Sequence, residues 1–339
     1  MHRFSPTDES AWRAHLVDEG YVVLSGVLGP EEVHDVKEKQ WQWFEQLNSG
    51  LRRDDPSTWT NANWPGAANL GFLSTHAGGH SEAAWQIRGH PSVISSFQAV
   101  WQTDEPLLSS MDTFIAWRPW LSDQTAPPQA CPIVPGEDWT PRVERLHIDQ
   151  SPVNKKGLCC VQGMVPLEDV TRAVGGLQVV PRSHSEAKQD VLAAKYPSAT
   201  GDWLELPEDD CNMGTGVLLE ASAGDLILWD SRLIHGGLVG GGNDGDSESS
   251  SNRAGQQRLP RLPRLSLTVS MTPVSFCKNG GVLDQRQKAY ENGLTLTHWP
   301  HEFAPHDLGD TGGQNIDTAR VYEAPKLNAA QLRLIRGGL

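Results

Sequence analysis

Arg145-Leu-His147-Ile-Asp149-Gln-Ser-Pro152 is the stretch on which the reading of this chain turns. In an extended strand, residues i and i+2 project to the same face. His147 and Asp149 therefore present an imidazole and a carboxylate side by side to whatever that face encloses. Alone, such a pair reads as a hydrogen-bonded couple or a turn at the end of a half-buried strand. What the rest of the chain brings to the same place decides between the two.

A second stretch, Gly224-Asp-Leu-Ile-Leu-Trp-Asp230-Ser-Arg-Leu-Ile-His235-Gly-Gly237, starts with a turn and a buried strand over Leu226–Trp229. His235 is expected near the end of that strand pair, and the glycines after it allow a ligand or a backbone to approach closely. Two histidines and one carboxylate, with three coordination positions open, make the facial triad of non-haem iron(II) oxygenases. No cysteine lies in either stretch, which argues against a structural zinc site. A third stretch is Arg264-Leu-Ser-Leu-Thr-Val-Ser-Met271, where Leu265, Leu267 and Val269 alternate with Arg264, Ser266 and Thr268. If the polar face is interior, the buried Arg264 requires an anionic partner. A guanidinium with a Ser266 hydroxyl beside it suits one end of a dicarboxylate. A solvent-facing arginine on an edge strand is the alternative.

Outward from these stretches, short apolar runs separated by turn residues continue from about residue 107: Leu107–Trp117, Gly157–Val165, Gly176–Val180 and Gly216–Leu219. Many short strands of this kind indicate a sandwich or barrel. Before them, Gly29-Pro30-Glu31-Glu32 is a helix start, and Val33, Val36, Phe44 and Leu47 carry its apolar stripe. Trp85–Trp101 reads as a second helix, interrupted at His90-Pro91. Residues 50–80 read as loop, with a lid conceivable around His76 and His80. The expected architecture is mainly β, a jelly-roll core buttressed by N-terminal helices. As one unit over 1–339, it divides into helical support (1–105), core (106–300) and a C-terminal tail (301–339) with a short helix near Leu327–Ile335. The polar segment 240–257, GGGNDGDSESSSNRAGQQ, cannot bury surface and is expected to loop out of a hairpin.

Composition bounds the partners. An apolar content of 38% and a charged content of 21% describe a globular chain. No run approaches the roughly 20 apolar residues of a membrane span. The net charge of −14 opposes nucleic-acid backbones and anionic membranes. Five scattered cysteines without a CxxC pair suit a reducing compartment, so cytoplasmic location is expected.

Taken together, the chain resembles the phytanoyl-CoA dioxygenase family over roughly residues 15–300. The likeness rests on Gly20–Leu28, Trp85-Gln-Ile-Arg-Gly-His-Pro91, His147-Ile-Asp-Gln-Ser-Pro152, Gly175-Gly-Leu-Gln-Val-Val-Pro-Arg-Ser-His184, Trp229-Asp-Ser-Arg-Leu-Ile-His235 and Pro263-Arg-Leu-Ser-Leu267. It implies a double-stranded β-helix (cupin-like jelly roll), with Fe(II), 2-oxoglutarate and O2. It further implies His147, Asp149 and His235 as ligands, Arg264 as 2-oxoglutarate anchor, and hydroxylation of a small molecule with release of succinate and CO2. Asp149 itself argues against the related halogenases, which keep that ligand position small. There are two departures. Arg182 stands where the family has Gly, and 29 positions separate His235 from Arg264, far more than usual, so that Arg261 is the fallback anchor.

Further residues have two readings each. Gln162 either donates to 2-oxoglutarate or substrate, or is bonded to backbone; Asp112 has the same ambiguity. Trp139 and Trp229 line a substrate pocket or belong to the core. His298, His301 and His306 read as a surface or interface segment. Rival functions on the same fold are a cupin-type metalloenzyme that does not use 2-oxoglutarate and a non-catalytic sensor.

Overall fold

The computed structural model describes residues 2–66, 70–120, 134, 136–241, 261–306, 313–316 and 322–338. Its strands are β1 (Tyr21–Leu24), β2 (Leu107–Ser109), β3 (Phe114–Trp117), β4 (His147–Ile148), β5 (Val161–Pro166) and β6 (Gly175–Val179). They continue with β7 (Leu204–Glu205), β8 (Val217–Leu218), β9 (Leu226–Asp230), β10 (His235–Val239), β11 (Arg264–Thr268) and β12 (Met271–Pro273). The helices are α1 (Glu9–Glu19), α2 (Pro30–Gln46), α3 (Glu82–Arg88), α4 (Pro91–Trp101), α5 (Glu186–Lys195), α6 (Gly281–Asn292) and α7 (Ala329–Arg336).

Two antiparallel five-stranded sheets, ordered β1-β9-β5-β11-β3 and β7-β4-β10-β6-β8, make up the β architecture, with β12-β2 as a separate pair. Among the described residues these are separate sheets rather than a closed barrel. The first sheet is buried on both faces, and its side-chain alternation sorts the two. Val22, Leu24, Phe114, Ala116, Val161, Val165, Leu226, Leu228, Leu265 and Leu267 join the large cluster shared with the helices. Val23, Ile115, Trp117, Met164, Ile227 and Trp229 point the other way, onto Leu177, Val179 and Leu219 of the second sheet's side. This is the period-2 rule applied to a sheet with two apolar partners.

The helices follow local rules. Pro30 occupies the first turn of α2, and the Glu32 carboxylate accepts from Gly29 N–H (2.8 Å). Val33, Val36, Trp41, Trp43 and Phe44 are its buried side. The expected helix over Trp85–Trp101 is two helices, because Pro91 lacks an N–H and restricts His90 to extended backbone (ψ 126°). The short terminal helix is present as α7, whereas α1, α5 and α6 carry weaker sequence signals and were not anticipated.

Two expectations are corrected, one on connectivity and one on His80. β10 pairs with β4 and β6, while β11 pairs with β3 and β5. The segment between them therefore crosses from one sheet to the other instead of looping out of a hairpin; residues 242–260 lie outside the described residues. Nor is His80 on a lid: it is 1% exposed, with Nε2 2.8 Å from Leu294 O, and burial pushes its pKa down to about 3. Arg182, the departure from family Gly, has φ +64°, the left-handed region where Gly costs least. Its side chain pairs with Asp18 (3.0 Å) and Glu19.

Candidate active site

His147 and His235 are direct cross-strand partners of β4 and β10, with ring centroids 4.4 Å apart. His235 begins a strand of the second sheet rather than ending the β9 pair, so the cross-strand register, not the preceding strand, brings it beside His147. Asp149 follows β4 two residues after His147, held by its N–H to Ser231 O (3.2 Å). Its Oδ2 lies 3.2 Å from His235 Nε2 and its Oδ1 3.6 Å from His147 Nε2.

The outer ring nitrogens are both engaged. His147 Nδ1 is 2.7 Å from Arg145 O, and His235 Nδ1 is 2.8 Å from Leu233 O. A carbonyl only accepts, so each Nδ1 carries a proton and Nε2 is the ring atom that faces Asp149. One donor atom from each of the three residues lies within 4.8 Å of the others, a set that could hold a metal ion. Against the penalty of burial, His147 and His235 keep Asp149 well below the usual carboxylate range. Gln162, opposite Trp229 on β5, donates from Nε2 to Asp149 Oδ2 (2.9 Å) and so orients the carboxylate.

These groups lie on the wall of a cavity of about 700 Å³ between the two sheets. Trp229 lines it, 5.6 Å from the His235 ring, as do Asp112 and Trp117. Asp112 Oδ1 accepts from Thr113 N–H (2.8 Å). Of its two readings Trp139 takes the core one: it is not among the lining residues and packs over Arg118, 4.7 Å from the guanidinium carbon, with Nε1 donating to Glu137 (2.9 Å). His298 and His306, expected on a surface segment, line the cavity too. Glu144 was not singled out in the sequence; it sits 3.8 Å from His147 Nε2, and burial raises its pKa. Only its position three residues before His147 could have signalled it.

Arg264 lies on the same wall, on the polar face of β11 as the alternation requires. It is 5% exposed, stacks 4.4 Å over the Trp117 ring, and touches Met164 Sδ at 3.7 Å. Its Nε has no partner, and no oxygen acceptor among the described residues bonds its guanidinium. Other buried arginines do find carbonyl acceptors: Arg88 donates to Gly79 O and Asp112 O, and Arg286 to Ser109 O, Leu334 O and Ile335 O, with Arg88 Nε and Arg286 Nη1 left unpartnered. Burial pushes Arg264 down to about 10. Ser266, fully buried with an unpartnered hydroxyl, is not among the lining residues; Thr268 of the same face is. Arg261, the fallback, is 61% exposed and 3.4 Å from Glu168 on the surface.

Comparison with known proteins follows the same line. The family model for phytanoyl-CoA dioxygenase (PhyH) matches residues 16–240, and this chain belongs to that family. It is an oxygenase whose cofactors are the family's iron and 2-oxoglutarate, and the His–Asp–His donor set fits the iron. The chain is similar to Ava biosynthesis cluster protein O of Aspergillus versicolor, 26% identical over 313 residues, covering 88% of this chain and 89% of that protein. Among solved structures it is similar to the epimerase SnoN in complex with Fe3+, alpha ketoglutarate and nogalamycin RO (16% identity, TM-score 0.48, 80% of this chain and 85% of that one). It is also similar to the carbocyclase SnoK from nogalamycin biosynthesis (14% identity, TM-score 0.48, 81% and 88%). At those scores the structural likenesses carry no functional assignment. Among the described residues no helix is long and apolar enough to cross a membrane.

Proposed function

We propose that this chain is an Fe(II)- and 2-oxoglutarate-dependent dioxygenase that hydroxylates an unactivated C–H bond of a small molecule, with release of succinate and CO2. The observation that carries it is the convergence, on one cavity, of three metal-competent donor atoms and a buried arginine that lacks an oxygen acceptor. The two sheets around that cavity support reading the core as a double-stranded β-helix of the cupin-like jelly-roll type.

In this reading His147, Asp149 and His235 hold the iron. When bound, iron with 2-oxoglutarate and O2 supplies an oxidant able to take hydrogen from carbon. The chain's residues prepare that chemistry. Arg145 O and Leu233 O hold the two imidazoles in the tautomer that leaves Nε2 free, and Gln162 fixes Asp149. Arg264 grips the far carboxylate of 2-oxoglutarate, the anion its burial calls for. Trp117, Trp229, Ile115 and Met164 exclude water from the space where a small-molecule substrate would lie.

The test is anaerobic addition of Fe(II) and 2-oxoglutarate to the purified protein. A weak visible charge-transfer band is expected in the wild type and not in His147→Ala. A wild-type protein without the band would overturn the proposal.

A further inference from the structure

Residues 295–306 lie beyond the family-matched region and fold back on themselves as a narrow hairpin. Leu296 bridges Pro305, Thr297 N–H donates to Ala304 O (2.8 Å), and His306 N–H donates to Thr295 O (3.0 Å). The hairpin is pinned from several sides. Leu296 N–H donates to Met111 O (2.9 Å), and Lys155 Nζ reaches Glu302 (2.6 Å) while sitting 3.6 Å over the Trp299 ring. Cys160 Sγ donates to His298 O (3.6 Å), Ser231 N–H to Cys160 O (3.1 Å), and Asp149 N–H to Ser231 O (3.2 Å). Three consecutive contacts therefore tie the His298 backbone to that of Asp149.

The His298 ring lies 4.8 Å from the Trp299 ring and lines the cavity. Its Nε2 is buried and has no hydrogen-bond partner. A buried polar atom left unpaired is costly, and beside a cavity the natural remedy is a ligand atom. On the same wall the Gln162 amide donates to Asp149, and Arg264 serves the far carboxylate in the function proposed above; Thr297 Oγ1 and His306 Nδ1 also lack partners, and His298 lies close enough to Asp149 and His235 to interact electrostatically with both. The metal-binding end of the same dicarboxylate also carries an oxygen that needs a donor.

We propose that His298 is a co-substrate-binding residue, whose imidazole hydrogen-bonds an oxygen of the 2-oxo acid end of 2-oxoglutarate on the open face of the His147–Asp149–His235 site. This rests on the proposed function. The test is anaerobic titration of 2-oxoglutarate into Fe(II)-loaded wild type, His298→Ala and His298→Gln, reading Kd and the position of the charge-transfer band. His298→Ala should raise Kd about tenfold and shift the band, as expected for one hydrogen bond to a charged group. His298→Gln, which keeps a donor, should recover most of the affinity. Fe(II) affinity, measured by competition with a chromophoric chelator, and the melting temperature should stay at wild-type values in both. If Kd and band in His298→Ala match wild type, the inference falls while the function stands. Loss of Fe(II) affinity or of melting temperature in both variants overturns it too, because the ring is then packing. A wild-type protein without the band removes the function itself.

Discussion

Replacing Arg264 by Met should produce two opposite changes in one protein. Burial depresses the guanidinium to about 10 from its ordinary 12.5, which corresponds to about 3 kcal/mol against the charged form in the co-substrate-free fold. A folded-state pKa below the unfolded value costs stability wherever the group is charged, so the penalty is constant below pH 10 and eases only above it. Stacking on Trp117 at 4.4 Å returns about 2 kcal/mol for a desolvated cation. The net cost of keeping Arg264 is therefore about 1 kcal/mol, and Arg264→Met should gain about that much in denaturant unfolding without ligand. The sign reverses with 2-oxoglutarate. Losing one partner of a buried, hydrogen-bonded charge pair costs about 3 kcal/mol, roughly 100-fold in Kd. Anaerobic titration gives the Kd, and unfolding with and without 2-oxoglutarate gives both stabilities. A variant that binds 2-oxoglutarate within threefold of wild type would refute the anchor. One destabilised by more than about 1 kcal/mol without ligand would show Arg264 to be structural.

Gln162→Leu removes the amide that orients Asp149, and Fe(II) affinity should fall about 10- to 100-fold with the fold intact; an unchanged affinity in chelator competition would contradict that role. Acid should destabilise the fold through His80, whose pKa is held at about 3. The unfolded chain binds the proton from about pH 6.5 downward and the folded one does not, so stability falls by about 1.4 kcal/mol per pH unit between those limits. In His80→Asn the loss in unfolding free energy between pH 6.5 and 5 should be smaller by about 2 kcal/mol, and equal losses would sink the argument. Arg182→Gly relieves a left-handed backbone at a cost of exposed ion pairs, and should change stability by under about 1 kcal/mol in the stabilising direction. A loss above 1 kcal/mol in denaturant titration would mean that the pairs with Asp18 and Glu19 outweigh the strain.

Local geometry made part of this molecule legible from sequence. The i, i+2 spacing of His147 and Asp149 and the alternation around Arg264 are properties of an extended chain, and both hold in the structure. So do the Pro30 helix start and the break at Pro91, because proline acts through its own ring. Where the structure departs from the expectation, the missing information is long-range. His235 was read against the strand before it, yet its neighbour is His147, 88 positions away in the chain. The hairpin between β10 and β11 was inferred from proximity in sequence, whereas the chain changes sheet. Trp139 falls in the core and His298, expected at the surface, lines the cavity, since an aromatic or imidazole ring carries no mark of which wall it will face.

The sequence by itself determined the family, the donor types and the polar face of β11, because these depend on residue chemistry and on the two-residue period of a strand. Tertiary structure alone decided that the donors meet, that Arg264 has no acceptor oxygen among the described residues, and that His298 lines the cavity. Those facts depend on cross-strand register and on which elements close over a shared space, and no local propensity encodes either.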